Sequence, residues 1–370
     1  MADVASLEGV VVRQFLDAYR DRRVLVTGHT GFKGSWLSLW LTELGAKLSG
    51  LALAPETEPN HWELLGLRMN DLRADVRDQA AVARAVEKAR PEVIFHLAAQ
   101  PLVRRSYRDP VQTWSTNVMG TAHLLDACRQ TGGVQAVVVV TTDKIYQNRE
   151  WPWGYRESDR IGGHDPYSSS KGAVELLTAS YRDSFCDAAD APLIATARAG
   201  NVIGGGDWSE DRLVPDLIRS LAAGVPLEIR SPGATRPWQH VLECLSGYLL
   251  LGQKLLAGER ALADAWNFGP EIDSNRSVAE VLDALSRHLP GFETKSAKGG
   301  QPHEATMLYL DSSKAKSLLL WHPVWSLDEG VAATALWYRC FMETGKAPSR
   351  EQLAAFVAQA ASKGAAWVEA

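Results

Sequence analysis

Residues 23–34 read R-V-L-V-T-G-H-T-G-F-K-G, and this stretch decides the fold of the chain. Its first five residues are typical of a short buried strand, and Gly28, Gly31 and Gly34 follow directly. Glycines between a strand and a helix allow a tight turn and the close approach of a pyrophosphate to the helix N-terminus. The stretch therefore predicts a dinucleotide-binding turn, with a purely structural turn as the alternative.

Similar strand and helix patterns continue along the first two hundred residues. Helices are predicted at about 9–21, 35–44 and 116–129, and strands at 23–27, 47–53, 91–97, 136–141 and 194–198. Strands that alternate with helices of this length indicate an α/β fold with a doubly wound parallel sheet. From about residue 200, prolines and longer loops indicate a smaller C-terminal substrate-binding lobe.

Composition narrows the class of protein. The 370 residues are 46% apolar and 22% charged, with a net charge of -5 and without a marked Lys/Arg run, which argues against nucleic-acid binding. The sequence lacks an apolar stretch of transmembrane length, and its start does not resemble a signal peptide, so a membrane partner is not expected. The four cysteines are far apart, which favours reduced thiols and a cytoplasmic location.

Two candidate acid/base pairs lie within 31 residues of one another. Y-S-S-S-K places Tyr167 and Lys171 four residues apart, on one face of a helix. The lysine ammonium should lower the pKa of the phenol from its ordinary value near 10 and make the tyrosine a general base. Asp143 and Lys144 follow Thr142 at the end of a strand, and a second pair there suggests more than a simple alcohol oxidation.

The choice between NAD and NADP is open at this stage. The second strand ends in Leu53-Ala54-Pro55, so the acid expected there for binding the ribose of NAD is missing. His29 and Lys33 could instead contact a phosphate or ribose. Asp75 is either an adenine contact or a solvated loop acid.

Several motifs in order carry a family resemblance. T-G-H-T-G-F-K-G, H-L-A-A-Q at 96–100, Asn117, T-T-D-K at 141–144 and Y-S-S-S-K resemble the extended short-chain dehydrogenase/reductases. Further stretches are similar to the nucleotide-sugar 4,6-dehydratases of that family: N-R-E-W-P-W-G-Y at 148–155, R-A-G-N-V-I-G-G-G-D-W at 198–208, R-P-W-Q-H-V at 236–241, P-H-E-A at 302–305 and W-H-P-V-W at 321–325. The resemblance covers roughly residues 20–340.

The resemblance implies a Rossmann domain over residues 20–200, joined by 237–268, and a nucleotide-sugar-binding lobe formed by 201–236 and 269–365. It implies NAD as cofactor, with NADP possible, CDP-glucose or a related nucleotide sugar as substrate, and a homodimer or homotetramer. The implied reaction belongs to deoxysugar biosynthesis: oxidation at C4, loss of water across C5 and C6, and return of hydride to C6. A nucleotide-sugar 4-epimerase, a dehydratase of another nucleotide hexose and a non-catalytic dinucleotide sensor are the alternatives.

The same resemblance assigns residues to the site. The dehydrogenase core is Thr142, Tyr167 and Lys171 with Asn117 in support, and the elimination pair is Asp143 and Lys144, where relatives acting on dTDP-glucose carry Asp-Glu. The implied cofactor contacts are Gly28, His29, Gly31, Phe32, Lys33, Gly34, Asp75, Val76, Leu97, Ala98, Ala99, Tyr167 and Lys171. The implied substrate contacts are Gln100, Asn201, Arg212, Arg236 and His303, with Arg276 a weaker candidate.

The histidines and an aromatic insert complete the set of candidate functional residues. The histidines lack metal-ligand spacing, so a metal site is not expected. The aromatic insert at 151–155 either lines the sugar pocket or forms a lid or subunit interface.

Overall fold

The computed structural model describes residues 13–297 and 306–368, which form an α/β structure. The strands are Arg23–Thr27 (β1), Lys47–Ala52 (β2), Asn70–Arg73 (β3), Val93–His96 (β4), Ala136–Val140 (β5), Leu193–Ala199 (β6), Val202–Ile203 (β7), Leu227–Ile229 (β8), Thr235–Pro237 (β9), Gln239–His240 (β10), Ala265–Phe268 (β11), Asn275–Ser277 (β12) and Thr294–Ser296 (β13). The helices are Arg13–Tyr19 (α1), Phe32–Glu43 (α2), His61–Leu65 (α3), Gln79–Ala89 (α4), Val103–Arg108 (α5), Pro110–Trp114 (α6), Gly120–Thr131 (α7), Pro166–Phe185 (α8), Leu213–Ala223 (α9), Val241–Leu256 (α10), Val278–Ser286 (α11), Leu327–Thr344 (α12) and Ser349–Ser362 (α13).

Seven strands form one parallel sheet in the order β3-β2-β1-β4-β5-β6-β11. The chain builds β1 to β3 outwards on one side and then returns to place β4 beside β1. This reversal creates a crevice at the carboxyl ends of β1 and β4, where ligands bind in doubly wound sheets. The predicted fold class is confirmed.

Helices cover both faces of the sheet, and the inner strands are apolar for that reason. All five residues of β5, A-V-V-V-V, are buried, and their side chains alternate between two cores. Val138 and Val140 pack on the side of α2 and α10, whereas Val137 and Val139 pack on the side of α4, α7 and α8. The strands are thereby held rigidly, and so are the polar residues that follow them.

The boundaries differ from the predicted ones at a few places. The helix predicted at 35–44 begins at Phe32, so the last glycine of the turn lies within α2. The helix predicted at 116–129 is a π-helical turn, Ser115–Met119, followed by α7. The N-terminal helix is α1, and residues 9–12 of its predicted range lie outside the described part.

Short strand pairs flank the main sheet after residue 200. β7 pairs with β10, β9 with β12 and β8 with β13, while β11 returns to the main sheet beside β6. The predicted division into a Rossmann domain and a nucleotide-sugar-binding lobe stays a prediction. Among the described residues, a helix both long and apolar enough for a membrane span is not found.

Candidate active site

One large cavity of about 1340 Å³ lies at the carboxyl edge of the sheet. The predicted site residues that line it are Gly28, Gly31, Phe32, Lys33, Gly34, Asp75, Val76, Leu97, Ala98, Ala99, Gln100, Thr142, Lys144, Tyr167, Lys171, Asn201, Arg212 and Arg236. The structure therefore brings most of the predicted cofactor contacts and most of the predicted catalytic and substrate residues to one cavity.

The glycine turn forms a cradle made of backbone. Gly28 has φ +75°, and a Cβ added there would lie 2.7 Å from the Ala98 nitrogen. A Cβ at Gly34 would lie 2.1 Å from the Gly28 oxygen, so both positions require glycine. The first turn of α2 lines the cavity beside them, and its N–H groups suit a pyrophosphate. The cradle therefore fits a dinucleotide.

His29 and Lys33 leave this turn in different directions. The His29 ring is fully buried, its Nε2 lies 2.9 Å from the Asp71 Oδ1, and it packs edge-on against Trp62. This position beneath β2 and β3 does not support the predicted contact of the His29 side chain with a phosphate or ribose. Lys33 does line the cavity, and its Nζ donates to the Tyr248 hydroxyl at 3.4 Å. Burial lowers the pKa of Lys33.

The end of the cavity beside β2 and β3 is lined by Asp75 and Val76. The Asp75 carboxylate accepts hydrogen bonds from the Arg77 guanidinium at 2.9 and 2.6 Å, which hold the pKa of that carboxyl below its usual value. At the end of β2 the Leu53 carbonyl accepts from Thr30 and Arg73, at 3.0 and 2.8 Å. A backbone carbonyl thus stands where many relatives of this fold carry an acid.

Tyr167 and Lys171 lie on α8 and both line the cavity. The Lys171 ammonium donates to the Val140 carbonyl at 2.8 Å, at the end of β5. Burial, and secondarily the charge of Lys33, lowers the pKa of Lys171 to about 8. Burial raises the pKa of Tyr167 to about 12, although a hydrogen bond with Thr142 favours the phenolate. The net shift is therefore opposite to the predicted one, because burial dominates, and Lys171 is not among the main groups that lower the pKa of Tyr167.

Asp143 and Lys144 lie on a short 3₁₀ turn directly after β5, and Thr142 caps that turn. The Thr142 hydroxyl donates to the Asp143 Oδ1 at 3.0 Å, and the Lys144 Nζ lies 3.8 Å from the same oxygen. Asp143 is fully buried, and its Oδ2 lacks a hydrogen-bond partner among the described residues. The Lys144 Nζ also donates to the Asn201 Oδ1 at 3.2 Å. One carboxylate oxygen of Asp143 is thus buried without a hydrogen-bond partner among the described residues.

Asn117 is buried in the π-helical turn and links two walls of the site. Its amide exchanges hydrogen bonds with the backbone of Gln100, at 2.8 and 3.2 Å. Its Nδ2 also donates to the Ser170 hydroxyl at 2.8 Å, so Asn117 reaches α8 through the residue before Lys171. The Gln100 side-chain nitrogen donates to Thr113 and the Leu102 carbonyl, which fixes the wall on the substrate side.

The predicted substrate residues divide into three groups. Asn201, Arg212 and Arg236 line the cavity; Arg212 lies 3.6 Å from Asp207, and Arg236 donates to the Thr235 carbonyl at 2.8 Å. Arg276 is opposite Arg236 in the β9–β12 ladder, but its side chain is exposed, so the structure does not place it with the others. His303 lies outside the described residues.

Sequence reasoning missed an arginine pair on the cavity wall. Arg104 on α5 and Arg230 after β8 both donate to the Asp211 Oδ1, at 2.9 and 3.2 Å, and all three residues line the cavity. Because these residues are separated by up to 126 positions, a local pattern could not have connected them.

The aromatic insert packs away from this wall. Tyr155 stacks on Tyr146 at 5.2 Å between ring centroids, and both pack with Leu308 and Leu310 in a small core of their own. Residues 13–297 and 306–368 do not contain a group of three His, Cys, Asp or Glu side chains arranged for a metal ion.

The fold and the site define the class: a doubly wound sheet with a glycine cradle and a Tyr-Lys pair is an extended short-chain dehydrogenase/reductase. Residues 25–334 match the family described as GDP-mannose 4,6 dehydratase, and the chain belongs to this family.

The chain is similar to several named proteins. A CDP-glucose 4,6-dehydratase of Salmonella typhimurium is 47% identical over 334 residues, which cover 88% of this chain and 92% of that protein. The structure of a dTDP-glucose 4,6-dehydratase from Streptomyces venezuelae with NAD and TYD bound gives a TM-score of 0.74 at 25% identity, over 85% of this chain and 96% of that one. A UDP-glucose 4-epimerase from Thermus thermophilus in complex with NAD gives 0.73 at 26% identity, over 85% and 98%.

Proposed function

We propose that this protein is a nucleotide-sugar 4,6-dehydratase that converts CDP-glucose to CDP-4-keto-6-deoxyglucose with NAD as cofactor. One observation carries the proposal: Lys144 and the Tyr167-Lys171 pair line a single cavity beside the glycine cradle, and Asp143 is buried next to Lys144, with its Oδ1 3.8 Å from the Lys144 Nζ. An epimerase needs the second pair but not the first. The similarity to a CDP-glucose 4,6-dehydratase supports the same reaction.

Tyr167 acts as the general base in the first step, the oxidation at C4. Its phenolate accepts the proton of the C4 hydroxyl, and the Thr142 hydroxyl, which lies near the phenol, orients the sugar oxygen. Lys171 in its charged form stabilises the phenolate. NAD held by the glycine cradle would supply the hydride acceptor for C4 and the hydride donor for C6, so the reaction would have no net oxidation.

Asp143 and Lys144, on the turn after β5, carry out the second step, the elimination of water. A ketone at C4 makes the C5 proton acidic, and Lys144, in its neutral form, accepts that proton and returns it to C5 when hydride is added at C6. Asp143, in its protonated form, donates through its Oδ2 to the C6 hydroxyl, which leaves as water. The buried position of this oxygen, without a protein partner among the described residues, supports the role of general acid.

We assign the cofactor as NAD and the anionic part of the substrate to the arginines. The cradle fits the pyrophosphate of a dinucleotide, and similar proteins of this fold were solved with NAD bound. Arg212 and Arg236, together with Arg104 and Arg230, line the same cavity and suit the diphosphate of a nucleotide sugar.

The test is product analysis. Purified protein with CDP-glucose and NAD is expected to release a sugar nucleotide that is lighter by one water. A product of unchanged mass with inverted C4 would favour an epimerase, and absence of turnover with any nucleotide hexose would favour a sensor. The Lys144→Ala variant should lose dehydration and C5 deuterium exchange; full activity in this variant would contradict the assignment of the elimination pair.

We further propose a homodimer or homotetramer in the cytoplasm. Val111 and Trp114 on α6 and Leu176 on α8 are 78%, 40% and 64% exposed, and these helices are neighbours, so they supply an apolar face for a second copy. The four cysteines are free, as is usual in a reducing compartment. Light scattering should give a mass above that of one chain, and Leu176→Asp should lower it; cell fractionation tests the location.

A further inference from the structure

A buried ion pair lies behind the catalytic ends of the sheet strands. Glu175 on α8 and Arg198 on β6 are 5% and 3% exposed. The guanidinium binds the carboxylate through two hydrogen bonds, from Nε to Oε1 at 2.9 Å and from Nη2 to Oε2 at 2.8 Å. The Thr196 hydroxyl donates to Oε2 at 2.6 Å, and the Thr141 hydroxyl donates to Oε1. Four donors therefore saturate this carboxylate.

On one side, this pair is connected to the oxidation machinery. Tyr167, Lys171 and Glu175 follow one another at intervals of four residues on α8, so they share one face of the helix. Glu175 supplies the negative charge that opposes the burial and the neighbouring Lys33, both of which lower the pKa of Lys171. The rotation of α8 about its axis is fixed by the same carboxylate that balances the charge of Lys171.

On the other side, the pair is connected to the elimination turn. Thr141, which donates to Glu175, directly precedes Thr142, Asp143 and Lys144. The remaining Arg198 nitrogen, Nη1, donates at 2.8 Å to the hydroxyl of Tyr146, just after the turn. The Tyr146 hydroxyl in turn donates to the Asn267 Oδ1 at 2.7 Å, on β11. Both ends of the elimination turn are thus held by one ion pair.

We propose that Glu175 and Arg198 form a positioning unit that sets the oxidation pair on α8 and the elimination pair after β5 in register with a single substrate. This inference rests on the proposed function, since it assumes that both pairs act on one sugar. Neither residue lines the cavity among the described residues, so both act through their neighbours. Stability alone does not explain such a pair, because apolar residues of similar volume often replace a buried ion pair without loss of stability.

The decisive variant is Glu175→Met/Arg198→Met, which removes both partners together, so that neither is left as an unpaired buried charge. We expect its thermal midpoint to stay near that of the wild type, while kcat for dehydration falls roughly 10- to 100-fold and KM changes little, as for a misplacement of about 1 Å. Glu175→Asp, which keeps the charge, should retain more activity than Glu175→Gln. Glu243→Gln is the matched control, because Glu243 is also buried and accepts two backbone N–H groups, from Val324 and Trp325, away from the cavity.

A second measurement is independent of turnover. Competitive acetylation of the protein at a series of pH values, read by mass spectrometry of the Lys171 peptide, reports the pKa of Lys171. This pKa should be lower in Glu175→Gln than in the wild type, whereas Glu243→Gln should leave it in place.

Two results would overturn the inference: a double variant with unchanged kcat, or a loss of activity that merely follows the thermal midpoint while the Lys171 pKa does not move. If the wild type itself fails to dehydrate CDP-glucose, the proposed function fails, and the labelling still decides whether Glu175 controls Lys171.

Discussion

Replacing Lys171 by methionine is expected to stabilise the protein at neutral pH while it abolishes activity. Lys171 is 5% exposed, and its pKa in the folded protein is about 8, compared with the ordinary 10.5. Each pKa unit corresponds to about 1.4 kcal/mol, so carrying the charge at pH 7 costs the folded state about 3 kcal/mol. Loss of the hydrogen bond to the Val140 carbonyl offsets about 1 kcal/mol of the gain. The net gain is about 2 kcal/mol, or about 2 to 3 °C in thermal midpoint for a chain of this length.

The sign of the pH dependence follows from linkage. Between pH 8 and 10.5 the unfolded chain binds the Lys171 proton more tightly than the folded protein, so the wild type gains stability as the pH rises through this window. The advantage of Lys171→Met should therefore be greatest below pH 8 and disappear by about pH 10.5.

Thermal melts at pH 7, 8, 9 and 10, without added nucleotide, measure this difference. Lys295→Met serves as control, because that lysine is more than half exposed in a surface ion pair and should shift the midpoint little at any pH. A Lys171→Met protein that melts below the wild type at pH 7, or a difference that does not change with pH, would refute the reasoning.

Three further predictions concern the cradle, the arginine pair and acid stability. Gly34→Ala should abolish NADH binding, measured by fluorescence, because its Cβ would meet the Gly28 oxygen at 2.1 Å; Gly233→Ala, where the Cβ meets open space, should bind normally. Arg104→Ala or Arg230→Ala should raise the KM for CDP-glucose about tenfold with little change in kcat, whereas equal KM values would remove both residues from the substrate site. Burial holds the pKa of His61, His96 and His240 at about 3, so stability should fall as the pH drops from 6.5 towards 3, and His61→Gln should reduce that slope in denaturant titrations.

The sequence predicts those parts of the site that depend on near neighbours in the chain. The strand and glycine turn at 23–34, and the helical spacing of Tyr167 and Lys171, are local patterns, and the structure has both. The chain order of strands and helices also indicates the doubly wound sheet, because alternating elements of this length have few other arrangements.

Properties that arise from packing could not be predicted from the sequence alone. The raised pKa of Tyr167 depends on burial from several distant segments, and the direction of the His29 ring depends on Asp71 of β3. The meeting of Arg104 with Asp211 joins segments 107 residues apart. Glu175 could have been identified, since it continues the four-residue spacing of Tyr167 and Lys171 on α8, but its charge partner Arg198 lies on β6 and is not part of that local pattern.

In the π-helical turn at Ser115–Met119, the number of residues matters as much as their identity. A π turn holds one residue more than the α-helix around it, and a residue of an α-helix advances by about 100°. Deleting one of the other residues of this turn should restore a regular helix and rotate Asn117 by about 100° relative to Gln100 and Ser170. Insertions and deletions in this segment should therefore be tolerated far less than substitutions, and a deletion scan across residues 110–125 would show a sharp minimum at the turn.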